Sequence, residues 1–282
     1  MEGKFGERGQ RIMKPNIRSK YIEEFLETGK IGSLGIIDAH THMDGIKGAS
    51  SPCCDIDGCV KLMDEENIEY IWCAPHSDMF GGGNFNANIK KYIAKYPNRV
   101  KAYYSFVPAY HKEYESQLEE TFKNKNFIGI KVLPEYHHTA LESEEYDKAL
   151  KFADDNRFAF LCHTWGISPC NHPRNVKKVL ERYGNVQFIA GHSAPGALDE
   201  VIEMAKVHKN LILDICDIHR NNGVIAKMCR EVGSERVVFG TDLPWYDPNY
   251  AVGSVLFADI TDADRENILR NTALSILNKM GR

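Results

Sequence analysis

Ile37-Asp38-Ala39-His40-Thr41-His42 is an apolar run that ends in polar side chains. Alternate residues of a strand share a face, so Asp38, His40 and His42 lie on one side and Ile37, Ala39 and Thr41 on the other. Two imidazoles at that spacing, at the C-terminal end of a strand, can converge on one cation. A doubly wound open sheet would carry a Gly-rich phosphate loop at this point. The histidines in its place direct attention to the rest of the chain.

Outward from this stretch, strand-length apolar runs recur at 35–42, 68–74, 100–107, 127–133, 158–163, 186–191, 211–215 and 237–241, eight in all. Between and after them, helical periodicity runs through 59–66, 86–96, 114–123, 143–155, 175–183, 196–207, 224–231 and 262–279. Continuous apolar strands alternating with amphipathic helices mark a parallel α/β architecture with both faces of the sheet covered. Pro97-Asn98, Gly184-Asn185 and Gly233-Ser234 each close a helix before a strand, and Thr261-Asp262-Ala263-Asp264 opens the last one. Eight such units predict a (β/α)8 TIM barrel over residues 35–282. Residues 1–34 read as an N-terminal arm with a short helix at 21–27.

Length and composition agree. A barrel of this kind takes roughly 250 residues, and the chain has 282, with 43% hydrophobic and 26% charged residues. A net charge of −4 gives no electrostatic reason for a nucleic-acid or anionic-membrane partner. Lys4, Arg8, Arg11, Lys14, Arg18 and Lys20 in the arm are interrupted by Glu2, Glu7, Glu23 and Glu24. With no signal-peptide core and no membrane-span run, the expected location is the cytoplasm. The partner expected is a small-molecule substrate, and a homo-oligomer is compatible with this reading. Among the eight cysteines, Cys73, Cys162 and Cys216 read as small buried hydrophobes. Cys53, Cys54 and Cys59 share a loop but no common zinc spacing, and are expected to stay reduced. Asp55-Ile56-Asp57-Gly58 lacks the downstream Glu of a calcium loop.

Other predicted strands also end in groups able to bind metal: Leu161-Cys162-His163, Ala190-Gly191-His192 and Gly240-Thr241-Asp242. In this fold the active site is built at that end of the barrel. Histidines with an aspartate suit Zn²⁺, and Mn²⁺, Fe²⁺ or Co²⁺ are tolerated.

Together with Phe239-Gly240-Thr241-Asp242-Leu243-Pro244, these motifs resemble the amidohydrolase superfamily, in its amidohydrolase-related branch of hydrolases and nonoxidative decarboxylases. The resemblance covers about residue 35 to the end. It implies a metal, zinc first, held by His40, His42, His163 and Asp242, with His192 near the metal-bound water or the substrate. One ion is expected. A second would make His192 a ligand and Lys131, at the end of strand four, a carbamylated bridge. A lysine inside a barrel is costly unless paired, and with one ion Lys131 is expected to orient the substrate. Asp38 reads as a buried acceptor or as support for a ligand.

The first function expected is a metal-dependent hydrolase acting on a small amide, lactone or ester. A metal lowers the pKa of bound water from 15.7 toward about 7, with Asp242 or His192 taking the proton and His192 protonating the leaving group. The alternative is nonoxidative decarboxylation of a small carboxylic acid by the same ligands. A third class, a catalytically dead metal-binding protein, has no use for His192 and Lys131. Specificity should come from strand-end loops carrying Tyr136, His137, His138, Trp165, His172, Arg174, Asp217, His219, Arg220, Trp245 and Tyr246. Arg174 and Arg220 would suit a carboxylate-bearing substrate.

Overall fold

Eight parallel strands pair in sequence order: β1 (Ile36–Thr41), β2 (Ile68–Cys73), β3 (Val100–Ser105), β4 (Phe127–Val132), β5 (Ala159–His163), β6 (Gln187–Gly191), β7 (Leu211–Asp214) and β8 (Val237–Val238). The computed structural model describes residues 19–45, 55–80 and 84–282. The basic residues at positions 4–18 and the cysteines at 53 and 54 fall outside them. The helices are α1 (Lys20–Thr28), α2 (Ile56–Glu66), α3 (His76–Phe80), α4 (Ala87–Lys95), α5 (His111–Thr121), α6 (Glu144–Asn156), α7 (Pro173–Arg182), α8 (Leu198–Val207), α9 (Val224–Val232), α10 (Pro248–Leu256), α11 (Asp262–Glu266) and α12 (Thr272–Lys279).

The expected barrel is present, with three adjustments. Strand eight is shorter than expected, because residues after Val238 turn from β7 toward β1. There the Ala39 amide donates to the Phe239 carbonyl at 2.9 Å and the Asp242 amide to the His40 carbonyl at 2.9 Å, while Thr41 bridges Leu243. The last helix is interrupted by a π-helical turn at Asn267–Asn271. Two helices, α3 and α10, were not anticipated. Both follow strand ends, and α3 walls the mouth of the barrel.

Inside the barrel, Trp72, Tyr103, Leu161, Ile189, Ile212 and Val238 belong to one buried cluster. On their strands they share the face that carries the site residues. A larger cluster, including Ile71, Phe127, Phe160, Phe188 and Leu213, lies between strands and helices. This two-faced burial is why the strands read as unbroken apolar runs. Helix α1 is capped by the Ser19 hydroxyl and buries Tyr21 and Ile22, and the Tyr21 hydroxyl donates to Glu266. Asp55 caps α2 and Asp57 pairs with Lys95, which accounts for that acidic stretch without a cation. Cys59 is buried in α2. Among the described residues, no helix is long and apolar enough to cross a membrane.

Candidate active site and metal centre

The Nδ1 of His40 lies 2.6 Å from Asp214 Oδ2, with both side chains fully buried. A carboxylate only accepts, so this contact keeps the proton on Nδ1 and leaves the Nε2 lone pair facing the barrel mouth. Lys131 Nζ meets that lone pair at 2.9 Å. His42 repeats the arrangement: its Nδ1 donates to the Ala74 carbonyl at 2.7 Å, and its Nε2 lies 3.1 Å from Asp242 Oδ1. The same oxygen is 3.6 Å from His40 Nε2. A neutral imidazole lone pair and a carboxylate oxygen facing each other this closely repel unless a cation or a proton lies between them.

Small residues make room for this packing. A Cβ on Gly240 would collide with Asp214 Oδ1 and come within 2.7 Å of His40 Cβ. One on Gly191 would sit 2.8 Å from the Cys162 carbonyl and 3.2 Å from His40 Cε1. His192 and Asp242 have φ of 66° and 63°, a left-handed conformation that costs a non-glycine residue roughly 1–2 kcal/mol. Residues held in this way at a strand end belong to the strain expected at functional sites.

The His192 ring packs against His40 and His163, with centroids 4.9 and 4.7 Å apart. Its amide donates to Asp214 Oδ2 at 3.1 Å, while its Nδ1 is buried without a partner. Donor atoms of His40, His192, Cys216 and Asp242 all lie within 4.8 Å of one another. His163 stacks parallel on Trp165. The donors here, imidazole and carboxylate with a thiol beside them, fit a divalent cation. The mutually facing acceptors and the orphaned His192 nitrogen are the structural marks of that fit.

Burial holds the His40 and His163 imidazoles well below their ordinary range, and it lowers His192 despite the opposing charges of Asp242 and Asp214. Neutral imidazoles are the form that ligates metal. Burial pushes the Asp242 carboxyl up, but the close approach of His42 and the electrostatic influence of the His192, His42 and His40 rings outweigh it and hold Asp242 well below the usual carboxylate range. Burial also lowers Lys131, against the pull of Asp242. Asp38 is pushed up to about 8 by burial. It accepts from the Thr241 hydroxyl at 2.5 Å and from the amides of His40 and Thr241, so it ties β1 to the closing segment rather than orienting an imidazole.

A cavity of about 430 Å³ opens above the cluster, lined by His42, His163, His192 and Asp242 below and by His76, Met79, Phe80, Leu133, Tyr136, Trp165, Asp217, Trp245 and Tyr246 around. His40 and Lys131 lie under this lining, and Lys131 is 1% exposed. Of the loop residues noted in the sequence, Tyr136, Trp165, Asp217, Trp245 and Tyr246 reach the cavity. The others serve locally: His137 contacts the Met79 carbonyl, His172 caps α7, and His219 contacts the Ile215 carbonyl. Arg174 is exposed on α7, and Arg220 pairs with Asp217 at 3.2 Å.

Sequence reading missed Asp214, Cys216 and His76. Asp214 had a usable signal, a lone acid closing the apolar run Leu211-Ile212-Leu213. His76 had none, because its place follows from α3. There its Nε2 accepts from the Trp245 indole at 2.9 Å, which fixes one cavity wall.

Solved structures share this architecture. A TIM-barrel protein from Bordetella bronchiseptica is 19% identical, with a TM-score of 0.75 over 88% of this chain and 100% of its own. 2,6-Dihydroxybenzoate decarboxylase from Rhizobium is 14% identical, with a TM-score of 0.71 over 87% and 99% of the two chains. A dihydroxybenzoic acid decarboxylase from Polaromonas sp. JS666, solved with bound manganese and 2-nitroresorcinol, is 16% identical, with a TM-score of 0.71 over 87% and 98%. These likenesses establish the fold. Among curated proteins, none matches the chain. The amidohydrolase family model, however, matches residues 37–279, from the strand that carries His40 and His42 to the last helix, and the chain belongs to that family.

Proposed function

We propose that this chain is a metal-dependent hydrolase of a small, aromatic-bodied ester, amide or lactone that carries no anionic group. The observation that carries this reading is the cavity lining: Asp242 and His192 open into an aromatic-walled space to which, among the described residues, no lysine or arginine contributes. His40, His42, His163 and Asp242 would hold the cation, zinc first, with His192 beside it. When bound, such a cation polarises a carbonyl and acidifies water.

The protein's own groups supply the rest. Asp242, kept ionised, accepts a proton at a carboxylate oxygen. His192, kept neutral by burial, accepts a proton at a ring nitrogen on its cavity side and returns it to the leaving group. Asp214 and the Ala74 carbonyl fix the His40 and His42 rings, and aromatic walls shed water from the bound substrate. Lys131, under the floor, acts through His40 rather than by touching substrate.

A second reading, nonoxidative decarboxylation, is favoured by the decarboxylases among the structural neighbours, one of them with bound manganese. The two reactions separate by product. Aryl esters, anilides and hydroxybenzoates are incubated with metal-loaded protein in ¹⁸O-labelled water. Label in a product acid supports hydrolysis, whereas CO₂ release without label replaces it with decarboxylation. Turnover of none of them, by protein carrying stoichiometric metal, defeats both.

A further inference from the structure

Among the described residues, the cavity is an aromatic box whose charged side chains are carboxylates. Phe80, Tyr136, Trp165, Trp245 and Tyr246 form its walls, and its acids are Asp242 on the floor and Asp217 on the side. An aromatic ring carries a negative face, and a cation placed against several such faces is stabilised, more so when desolvated.

Asp217 is built into this wall. It is 4% exposed and sits at φ 59°, ψ −45°, with the Ile218 amide donating across it to the Cys216 carbonyl at 2.6 Å. That is a γ-turn of the strained kind, rare for any residue with a side chain. Its Oδ1 accepts from the Tyr246 hydroxyl at 2.7 Å and its Oδ2 from Arg220 at 3.2 Å. Each oxygen keeps a lone pair, since a carboxylate offers about four acceptor sites. Arg220 is half in solvent and does not line the cavity, so among the described residues no basic side chain meets the carboxylate from the cavity side. A carboxylate held in a strained turn and turned into an aromatic box is a recognition element.

We infer that the substrate of this site carries, away from the reacting carbonyl, a protonated amine that Asp217 and the aromatic walls receive. The inference rests on the proposed reading of the cavity as the active site. It assigns Asp217 the selection of substrate and excludes substrates with an anionic group at that end.

Three hydroxamates that share a metal-binding head test it: benzohydroxamate, 4-(aminomethyl)benzohydroxamate and 4-carboxybenzohydroxamate. Their affinities for zinc-loaded protein are measured by calorimetry. The aminomethyl probe should bind at least about tenfold more tightly than the carboxy probe, with benzohydroxamate between them. Asp217→Asn, which tolerates positive φ well, should compress that range to about threefold. If Asp217→Asn does not fold, Tyr246→Phe removes a hydrogen bond from the carboxylate but leaves its charge, and should retain or widen the range. A carboxy probe that binds as tightly as the aminomethyl one overturns the inference. So does an unchanged range in Asp217→Asn, a range lost in Tyr246→Phe, or binding of none of the three. Repeating the titrations on chelator-stripped protein isolates the metal reading. Unchanged affinities there defeat the metal assignment, while the order of the probes still decides the role of Asp217.

Discussion

Asp214→Asn is the substitution that most directly tests how the site is held together. Asp214 accepts from His40 Nδ1 at 2.6 Å, from the His192 amide at 3.1 Å and from the Cys216 amide at 3.0 Å. An amide side chain has one oxygen. If that oxygen faces His40 and His192, the new NH₂ meets the Cys216 N–H, donor against donor. If it faces Cys216, the NH₂ meets His40 Nδ1, which must then give up its proton to Nε2 and lose the lone pair needed for a metal. Either way a buried donor loses its acceptor, at a cost of about 1–3 kcal/mol of stability. Groups that orient a metal-binding histidine contribute roughly 10–100-fold to metal affinity, or about 1.4–2.8 kcal/mol. The expected result is a folded protein with lower thermal stability and a zinc affinity weaker by one to two orders of magnitude, measured by competition with a chromophoric chelator well below the unfolding transition. A folded variant whose zinc affinity lies within about twofold of the parent would refute the assignment of Asp214 as the group that sets the His40 tautomer.

The remaining expectations concern the ligands and their neighbours. His40→Ala combined with His42→Ala should abolish bound divalent metal in elemental analysis of protein purified without chelators, and retention of stoichiometric metal would remove the site. His192→Asn should keep its metal while turnover drops by about 10²–10⁴, the usual contribution of a general acid–base; loss of metal together with activity would make His192 a ligand. Lys131→Met removes the ammonium that meets the His40 lone pair at 2.9 Å, so zinc affinity should rise several-fold. A fall in affinity instead would show that Lys131 helps to hold the metal, as a carbamate bridge between two ions would.

What was legible in the sequence had local causes. Burial on both faces makes a barrel strand a continuous apolar run, and a histidine or acid ending such a run stands out, which is why His40, His42, His163, His192 and Asp242 could be proposed together, and the fold brings them to one end of the barrel. The seventh strand ended in the same way at Asp214, but it was read for its hydrophobicity and the acid was passed over. The short eighth strand was less legible, because its end is set by a change of partner from β7 to β1, which is a property of closure. Helix α10 had its signal in Asp247-Pro248, a capping acid before proline. Its apolar composition was absorbed into the loop before the final helix. Of the aromatic walls, Tyr136, Trp165, Trp245 and Tyr246 stood only in a pool of loop residues and Phe80 in none, since selecting among them requires the loops to be folded. Arg174 and Arg220 show the limit most clearly. Both sit at suitable places in the chain, yet one faces solvent and the other is paired beside the wall.

The position of Lys131 connects the site's stability to its chemistry. Beneath the cavity, Asp214, His40 and Lys131 form a buried chain of two hydrogen bonds, 2.6 and 2.9 Å long. Without a metal, this chain is how the fold tolerates an imidazole, a carboxylate and an amine together in a barrel interior, because each polar end finds a partner. The His40 Nε2 lone pair can serve one partner at a time. A cation that takes it must displace Lys131, and the displaced amine then needs another acceptor, of which Asp242 and Asp214 are the charged groups that already act on it. On the proposed reading, binding a metal here is an exchange of partners within a prearranged network. Its measured affinity reports the difference between two satisfied states, and this is why removing Lys131 should strengthen it.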